Sequence, residues 1–218
     1  YQDWAIYSIP DLKPTVLPGK PLGYVTGIAF HPEGQWIVGS TEGENIHQVA
    51  LPDQKLIRTL KGHGYPVHGV AVSADGKYLA SVAGDENRIT RPGEVKLWNA
   101  ESGELLADLV DHERAAFTAT FSKNGKYLLT GGLDEKVNVY DVATHKALGF
   151  YAGQARPVNS VIMIDNGAVA ISGGGGRAKG KNDVSIWLRD SGDEIGRIEA
   201  HEGKINSVSL HPDGKTLA

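Results

Sequence analysis

The sequence predicts an all-β fold, a propeller of four-stranded antiparallel blades, and three observations predict it. A short phrase occurs five times, as Pro32-Glu33-Gly34, Ala74-Asp75-Gly76, Lys123-Asn124-Gly125, Asp165-Asn166-Gly167 and Pro212-Asp213-Gly214. Each sets Glu, Asp or Asn directly before Gly between two short apolar runs, which favours a tight hairpin because Gly accepts positive φ freely and Asn or Asp tolerates it. The glycines recur at 42 residues from Gly34 to Gly76, 49 to Gly125, 42 to Gly167 and 47 to Gly214. Between them lie short alternating runs with little helical periodicity. A period of about 40–45 residues holding four strands is the signature of propeller blades.

One domain accounts for residues 1–218. Residues 1–17 supply only the last two strands of a blade, Trp4–Tyr7 and Thr15–Leu17. The blade at 22–61 is predicted to run Tyr24–Phe30, Trp36–Gly39, Ile46–Ala50 and Leu56–Leu60. The blade at 62–110 follows with Val67–Val72, Tyr78–Val82, Glu94–Trp98 and Leu105–Leu109, the third alternating polar and apolar as a half-buried strand does. The blade at 111–152 has Phe117–Phe121, Tyr127–Thr130, Lys136–Tyr140 and Ala147–Tyr151. The blade at 153–199 has Val158–Ile164, Ala168–Ser172, Val184–Trp187 and Glu194–Ile198. Residues 201–218 supply only a first and second strand.

Two insertions explain the uneven spacing. From the second strand to the large residue of the third is 10 residues in two blades, Gly39 to Val49 and Thr130 to Tyr140. It is 17 from Ser81 to Trp98 and 15 from Ser172 to Trp187. The excess lies in Glu86–Gly93 and in Gly175–Asn182.

Composition excludes several classes. A formal net charge of −4 gives no basic field that would attract nucleic acid. The absence of Cys excludes a disulfide scaffold and a thiolate zinc site. No apolar run approaches the ~18–20 residues of a membrane helix. The chain opens Tyr1-Gln2-Asp3-Trp4, with neither an initiator Met nor a signal peptide, and reads as shortened upstream or as part of a longer protein.

With Gly62-His63, Lys96-Leu97-Trp98-Asn99, Ser185-Ile186-Trp187 and His211-Pro212-Asp213-Gly214-Lys215, the chain resembles the WD-repeat β-propellers of bacterial style along nearly its whole length. The resemblance implies a hydrogen-bonded set of His, Ser or Thr, Asp and Trp that braces each blade. His63, Ser81, Asp85 and Trp98 match it in one blade, and His112, Thr130 and Asp134, with Tyr140 in the Trp place, in the next. Gln154 and Gly176 depart from it in the fourth, His201 keeps it in the fifth, and Pro21, Gly39, Gly43 and Val49 lack it in the first. These are also the ingredients of an activated nucleophile, but recurrence once per blade is what bracing requires and catalysis does not. The two half-blades close the chain into a five-bladed ring, or the chain is part of a larger, seven-bladed propeller, which family habit favours.

The two inserted loops project from one face of the disc and bring Arg88, Arg91, Arg177, Lys179 and Lys181 to an otherwise acidic chain. Loops on a rigid scaffold are where function concentrates. Tyr24, Tyr65, Arg114, Arg156 and Lys204, opening the first strands, are expected to ring the same face nearer the axis, and Tyr and Arg dominate interface energetics. Together they suit an acidic peptide or protein partner, and point to a non-catalytic interaction scaffold. Alternatives are an enzyme with a site at the central channel, where the first strands read apolar or small, and a spacer between other domains of a longer chain. Gly175 to Lys181 imitates a phosphate-binding loop, but Asn182 replaces the Ser or Thr and a strand follows in place of a helix. The eight His show no ligand spacing, so neither metal nor cofactor is expected. The sequence assigns no compartment.

Overall fold

The computed structural model describes residues 5–7, 14–16, 24–51, 53, 55–109, 112–176, 182–211 and 213–218, with backbone alone at 5–7, 14–16, 165, 200 and 201. A two-stranded ladder, β1 (Ala5–Tyr7) with β2 (Pro14–Val16), comes first. Four four-stranded antiparallel sheets follow in chain order. The first is β3 (Val25–Phe30), β4 (Trp36–Thr41), β5 (Ile46–Ala50) and β6 (Leu56–Leu60). The second is β7 (Val67–Val72), β8 (Tyr78–Ala83), β9 (Glu94–Asn99) and β10 (Leu105–Asp108). The third is β11 (Ala116–Phe121), β12 (Tyr127–Gly132), β13 (Val137–Asp141) and β14 (Lys146–Tyr151). The fourth is β15 (Val158–Ile164), β16 (Val169–Gly174), β17 (Asn182–Leu188) and β18 (Glu194–His201). These are the blades of a β-propeller, each strand paired with the next along the chain.

The repeated phrase makes its turn by one mechanism. Gly76 N–H donates to Ser73 C=O at 2.9 Å and Ser73 N–H to Tyr78 C=O at 2.9 Å. The same pair closes at Gly34, Gly125 and Gly214, and all these glycines have φ between 69° and 72°. A type I turn followed by a left-handed residue is a favoured hairpin loop. The preceding side chain secures it: Asp75 accepts from Ser73 Oγ and Lys77 N–H, and Asn124 accepts from Ser122 Oγ and Lys126 N–H. In the fourth blade Asn166 also enters the left-handed region, at φ 53°, within a short 3₁₀ turn.

The second strands run further than apolar patterning alone suggests, through Gly131-Gly132 and Gly173-Gly174. These glycines stay in the ladder because the chain beside them leaves no room for a side chain: a Cβ on Gly132 would fall 2.6 Å from Ala115 O, and one on Gly174 2.8 Å from Pro157 O. Residues 205–218 form a hairpin closed by a Leu210–Leu217 bridge and the paired bonds of Ser209 and Ala218, in place of two full strands. Loop length does not disturb register. Ser81 lies opposite Lys96, Thr130 opposite Asn138 and Ser172 opposite Ser185, although the connections between those strands differ in length.

Every blade buries both faces of its second and third strands. Trp36, Val38, Ile46 and Leu60 pack on Val67, Leu79 and Trp98 of the next blade. Val82, Val95 and Leu97 pack on Leu128 and Tyr140, and Leu129, Val137 and Tyr151 on Val158, Val161 and Trp187. Ile171 and Val184 meet Ile205 and Val208 of the last hairpin. Each such side chain contributes about 1.5–3 kcal/mol. Inner strands approach closely enough that a Cβ on Gly69 would lie 3.0 Å from Phe117 O. Side chains also stitch inner strands together: Thr26 Oγ1 donates to Val67 C=O at 2.5 Å, and Asn159 Nδ2 to Ile205 C=O at 2.8 Å. Among the described residues no helix is long and apolar enough to cross a membrane.

Candidate functional site

The polar sets inside the blades come first, because their chemistry resembles catalysis. In the second blade His63 Nε2 lies 2.7 Å from Ser81 Oγ, and Nδ1 lies 2.7 Å from Glu94 Oε2. Trp98 Nε1–H donates to the same Ser81 oxygen at 2.8 Å. A carboxylate only accepts, so the Nδ1 proton points to Glu94; in the neutral ring Nε2 then accepts the serine hydroxyl proton. Gly64 N–H adds a second donor to Glu94 at 3.0 Å. Burial acts to raise the Glu94 pKa, but the bonds from His63 and Gly64 outweigh it and hold the carboxyl below its ordinary range.

The carboxylate in this set comes from Glu94, the first residue of β9, where sequence reasoning expected Asp85. Asp85 instead caps its own loop, accepting from Asn87 N–H at 2.9 Å and pairing with Arg88 Nε at 3.2 Å. The inserted residues after Asp85 separate it from the strand, while Glu94 enters the ladder opposite Ala83. In the third blade His112 bonds Thr130 Oγ1 at 2.8 Å and Asp134 at 3.0 Å, and Tyr140 of the same blade is buried in the apolar core. Burial raises the Asp134 pKa, and the bonds from His112, Glu113 N–H and Lys136 N–H bring it down below its usual value.

The fourth blade builds the set from different atoms. Gln154 Nε2 donates to Ser172 Oγ at 2.8 Å and Ser172 C=O at 2.9 Å, and Trp187 Nε1–H donates to Ser172 Oγ at 3.3 Å. Gln154 is therefore the functional replacement of His, with an amide donating where the imidazole accepts. Its signal in the sequence was its position, 18 residues before Ser172, the separation of His63 from Ser81 and of His112 from Thr130. In the first blade Ser40 Oγ and Thr26 Oγ1 are 2.9 Å apart, and Val49 is buried. Pro21 and the His201 side chain lie outside the described residues.

Ser81, His63 and Glu94 have the spacing of a nucleophile, base and orienting acid. Ser81 is wholly buried and Trp98 occupies its oxygen, so no substrate carbonyl can approach it. The set ties the first turn before β7 to the middle of β8 and β9.

The loop face is assembled from neighbouring blades. Gly93, at the base of the first inserted loop, lies against the chain opening β11: its N–H donates to His112 C=O at 3.1 Å, and a Cβ there would fall 2.7 Å from Ala116 N. This brings the stem of the loop carrying Arg88 and Arg91 beside Arg114. Gly175, at the base of the second, sits against Lys204, where a Cβ would fall 2.8 Å from its Cα. Arg177, Lys179 and Lys181 themselves lie outside the described residues. Arg88, Arg91, Arg114 and Lys204 are exposed, as are Tyr24 and Ile89 at the loop tip. Tyr65 is half-buried against the first-to-second blade core, and Arg156 is half-buried and engaged. Arg88 is paired with Asp85, whereas among the described residues no acidic partner meets Arg91, Arg114 or Lys204.

On the face of the hairpin turns, a groove of about 850 Å³ runs between the first two blades, lined among others by His31, Trp36, Arg58, Tyr78 and Glu101. His31 packs on Trp36 with ring centroids 4.7 Å apart. The groove was not legible in the sequence, because each of its residues belongs to a turn or strand end that looks ordinary in its own repeat. Among the described residues no three His, Asp or Glu side chains converge as a metal site.

Among known proteins, the family model described as WD domain, G-beta repeat matches residues 13–44, 54–99, 103–141 and 192–218. Eukaryotic translation initiation factor 3 subunit I of Kluyveromyces lactis is 28% identical over 191 residues, covering 84% of this chain and 52% of that protein. The protein of the same name from Homo sapiens is 30% identical over 146 residues, 63% of this chain and 43% of its own length. That from Vanderwaltozyma polyspora is 29% identical over 169 residues, 73% of this chain and 46% of its own. The chain thus spans about half the length of the curated relatives it matches.

Proposed function

The chain belongs to the WD40 family of G-beta repeats, and from that membership we propose that it is a non-catalytic protein-interaction scaffold whose inserted-loop face takes an acidic segment of a partner protein. The relatives are named as a subunit of translation initiation factor 3, and the scaffold role is proposed for an assembly of that kind. The observation that carries the reading is the exposed cation group Arg91, Arg114 and Lys204, without acidic partners among the described residues, on the face that also exposes Tyr24 and Ile89. Arg177, Lys179 and Lys181 extend that charge by sequence, and Tyr65 and Arg156 belong to the same ring.

The test is capture from source lysate by the native chain and by a variant carrying Glu at Arg88, Arg91, Arg177, Lys179 and Lys181, repeated with Glu at Arg114 and Lys204. The expected result is an acidic partner held by the native chain, lost from both variants, and released as salt rises, since exposed charges are screened beyond about 8–10 Å. Unchanged capture by both variants would overturn the reading and favour a spacer role or a binding face elsewhere on the disc.

A further inference from the structure

Where the third and fourth blades meet, on the face of the hairpin turns, the chain holds one of its own arginines. Arg189 follows β17 directly, its N–H donating to Ala168 C=O at 3.0 Å. Its guanidinium crosses to the third blade, where Cζ lies 3.8 Å from the centre of the Tyr127 ring. Nε donates to Gly167 C=O at 2.6 Å, and Nη1 pairs with Asp190 at 2.6 Å. An aromatic face, a turn carbonyl and a carboxylate together match what a planar, permanently charged guanidinium can use.

The junction of the first and second blades repeats these surroundings with the arginine missing. Trp98-Asn99-Ala100-Glu101-Ser102-Gly103 stands in the second blade where Trp187-Leu188-Arg189-Asp190-Ser191-Gly192 stands in the fourth. Ala100 makes the same backbone bond as Arg189, donating to Lys77 C=O at 2.9 Å, but its side chain ends at Cβ. Trp36 heads β4 as Tyr127 heads β12, Gly76 holds the place of Gly167, and Glu101 that of Asp190. His31, Trp36, Gly76 and Glu101 all line the groove of about 850 Å³. Glu101 is exposed, and no cation meets it among the described residues. Arg58 lines the groove too, but it lies over the β9–β10 turn, where a Cβ on Gly103 would fall 2.7 Å from its Cδ. Lys77 is tied to Asp75 at 3.5 Å. At the next junction Val142 takes the place of Arg189 and is buried in the apolar core, and Ala143 stands where the acid would be.

We propose that this groove seats an arginine side chain from a segment of a partner protein. Its guanidinium lies against the aromatic wall of Trp36 and His31, donates to Gly76 C=O and pairs with Glu101, as Arg189 does with Tyr127, Gly167 and Asp190. The groove lies on the face of the hairpin turns, away from the inserted loops, so the two binding readings stand or fall separately.

The test is NMR titration of the ¹⁵N-labelled chain with an end-blocked Gly-Arg-Gly peptide, followed at the tryptophan indole N–H signals, with that of Trp36 assigned by Trp36→Phe. Matching peptides carry lysine, which keeps the charge without the planar group, or citrulline, which keeps the shape without the charge. The arginine peptide is expected to shift the Trp36 signal saturably in the millimolar range, the lysine peptide to bind more weakly, and the citrulline peptide to leave the signal in place. Glu101→Gln is expected to weaken the arginine peptide by about three- to fivefold, the size of an exposed ion pair. Ala100→Arg supplies the guanidinium from within the chain and is expected to abolish the response, with circular dichroism establishing that the variant is folded. No saturable shift at Trp36, equal binding of the citrulline peptide, or undiminished binding by Glu101→Gln or by folded Ala100→Arg overturns the proposal.

Discussion

Tyr151 lies face to face with Trp187, ring centroids 4.8 Å apart and planes 10° from parallel. One residue ends β14 and the other sits in β17, so the stack spans the junction of the third and fourth blades. The Tyr151 hydroxyl donates to Glu194, whose carboxylate also accepts from Arg197 Nε at 2.9 Å, and Arg197 reaches Asp183 at 3.1 Å and Gly153 C=O at 2.8 Å. The bond from Arg197, and next that from Tyr151, draw the Glu194 pKa down to about 2. Burial, and then the bond to Glu194, push the Tyr151 phenol up.

Trp187→Ala is expected to destabilise the protein by about 3–5 kcal/mol, the usual range for deleting a large buried aromatic. Tyr151→Phe keeps the stacked ring and removes only the hydroxyl, so its cost is expected near ~1 kcal/mol. Urea unfolding of the two variants checks the ranking, and a costlier Tyr151→Phe would contradict it.

Ser81→Ala leaves two buried groups without a partner, the Trp98 N–H and the His63 Nε2. An unsatisfied buried group costs about 1–3 kcal/mol, so a loss of roughly 2–6 kcal/mol is expected for the two. Ser102→Ala, where an exposed hydroxyl accepts Glu104 N–H, is expected within about 0.5 kcal/mol of the native chain. Similar melting temperatures for the two would remove the bracing role from Ser81.

Stability is expected to fall in acid. The Glu94 and Asp134 carboxyls lie below their ordinary values of 4.5 and 3.8 in the folded protein. Their contribution is therefore fully present above those ordinary values and is lost as pH falls through the folded ones. Glu94→Gln with Asp134→Asn is expected to flatten the dependence of unfolding free energy on pH below the ordinary Glu value of 4.5. An acid slope equal to that of the native chain would show that these carboxyls do not report on folding.

The turn glycines are expected to differ in their tolerance of alanine. Gly34 has φ 69°, and a methyl added there would meet no atom within 4 Å, so Gly34→Ala carries only the left-handed backbone cost of about 1–2 kcal/mol. Gly76, at φ 72°, faces the His31 ring, whose Cδ2 would lie 3.0 Å from the new methyl. Gly76→Ala should lower the melting temperature further, and equal shifts would mean that the ring moves aside freely.

The five turns and the strands between them were legible because each depends on local chemistry: a residue that tolerates left-handed backbone, and apolar alternation on either side. The hydrogen-bonded sets were legible in part. His63, Ser81 and Trp98 sit at repeat positions that counting finds, but the carboxylate did not follow the count. Asp85 precedes an insertion and turns to Arg88, and only the ladder reveals that Glu94 reaches His63. Gln154 looked like a departure because its residue type differs, yet its amide meets the same serine oxygen.

The register of β8 with β9 matches that of β12 with β13, although seven more residues separate Ser81 from its partner Lys96 than separate Thr130 from Asn138. Ser81 and Thr130 meet their partners as though the connecting chain had no length. That connection is therefore a natural port for grafting: a foreign epitope or a fluorescent reporter spliced between Asn87 and Pro92 would hang from a stem held at Asp85 and Gly93. The ladder beneath it would have no reason to change.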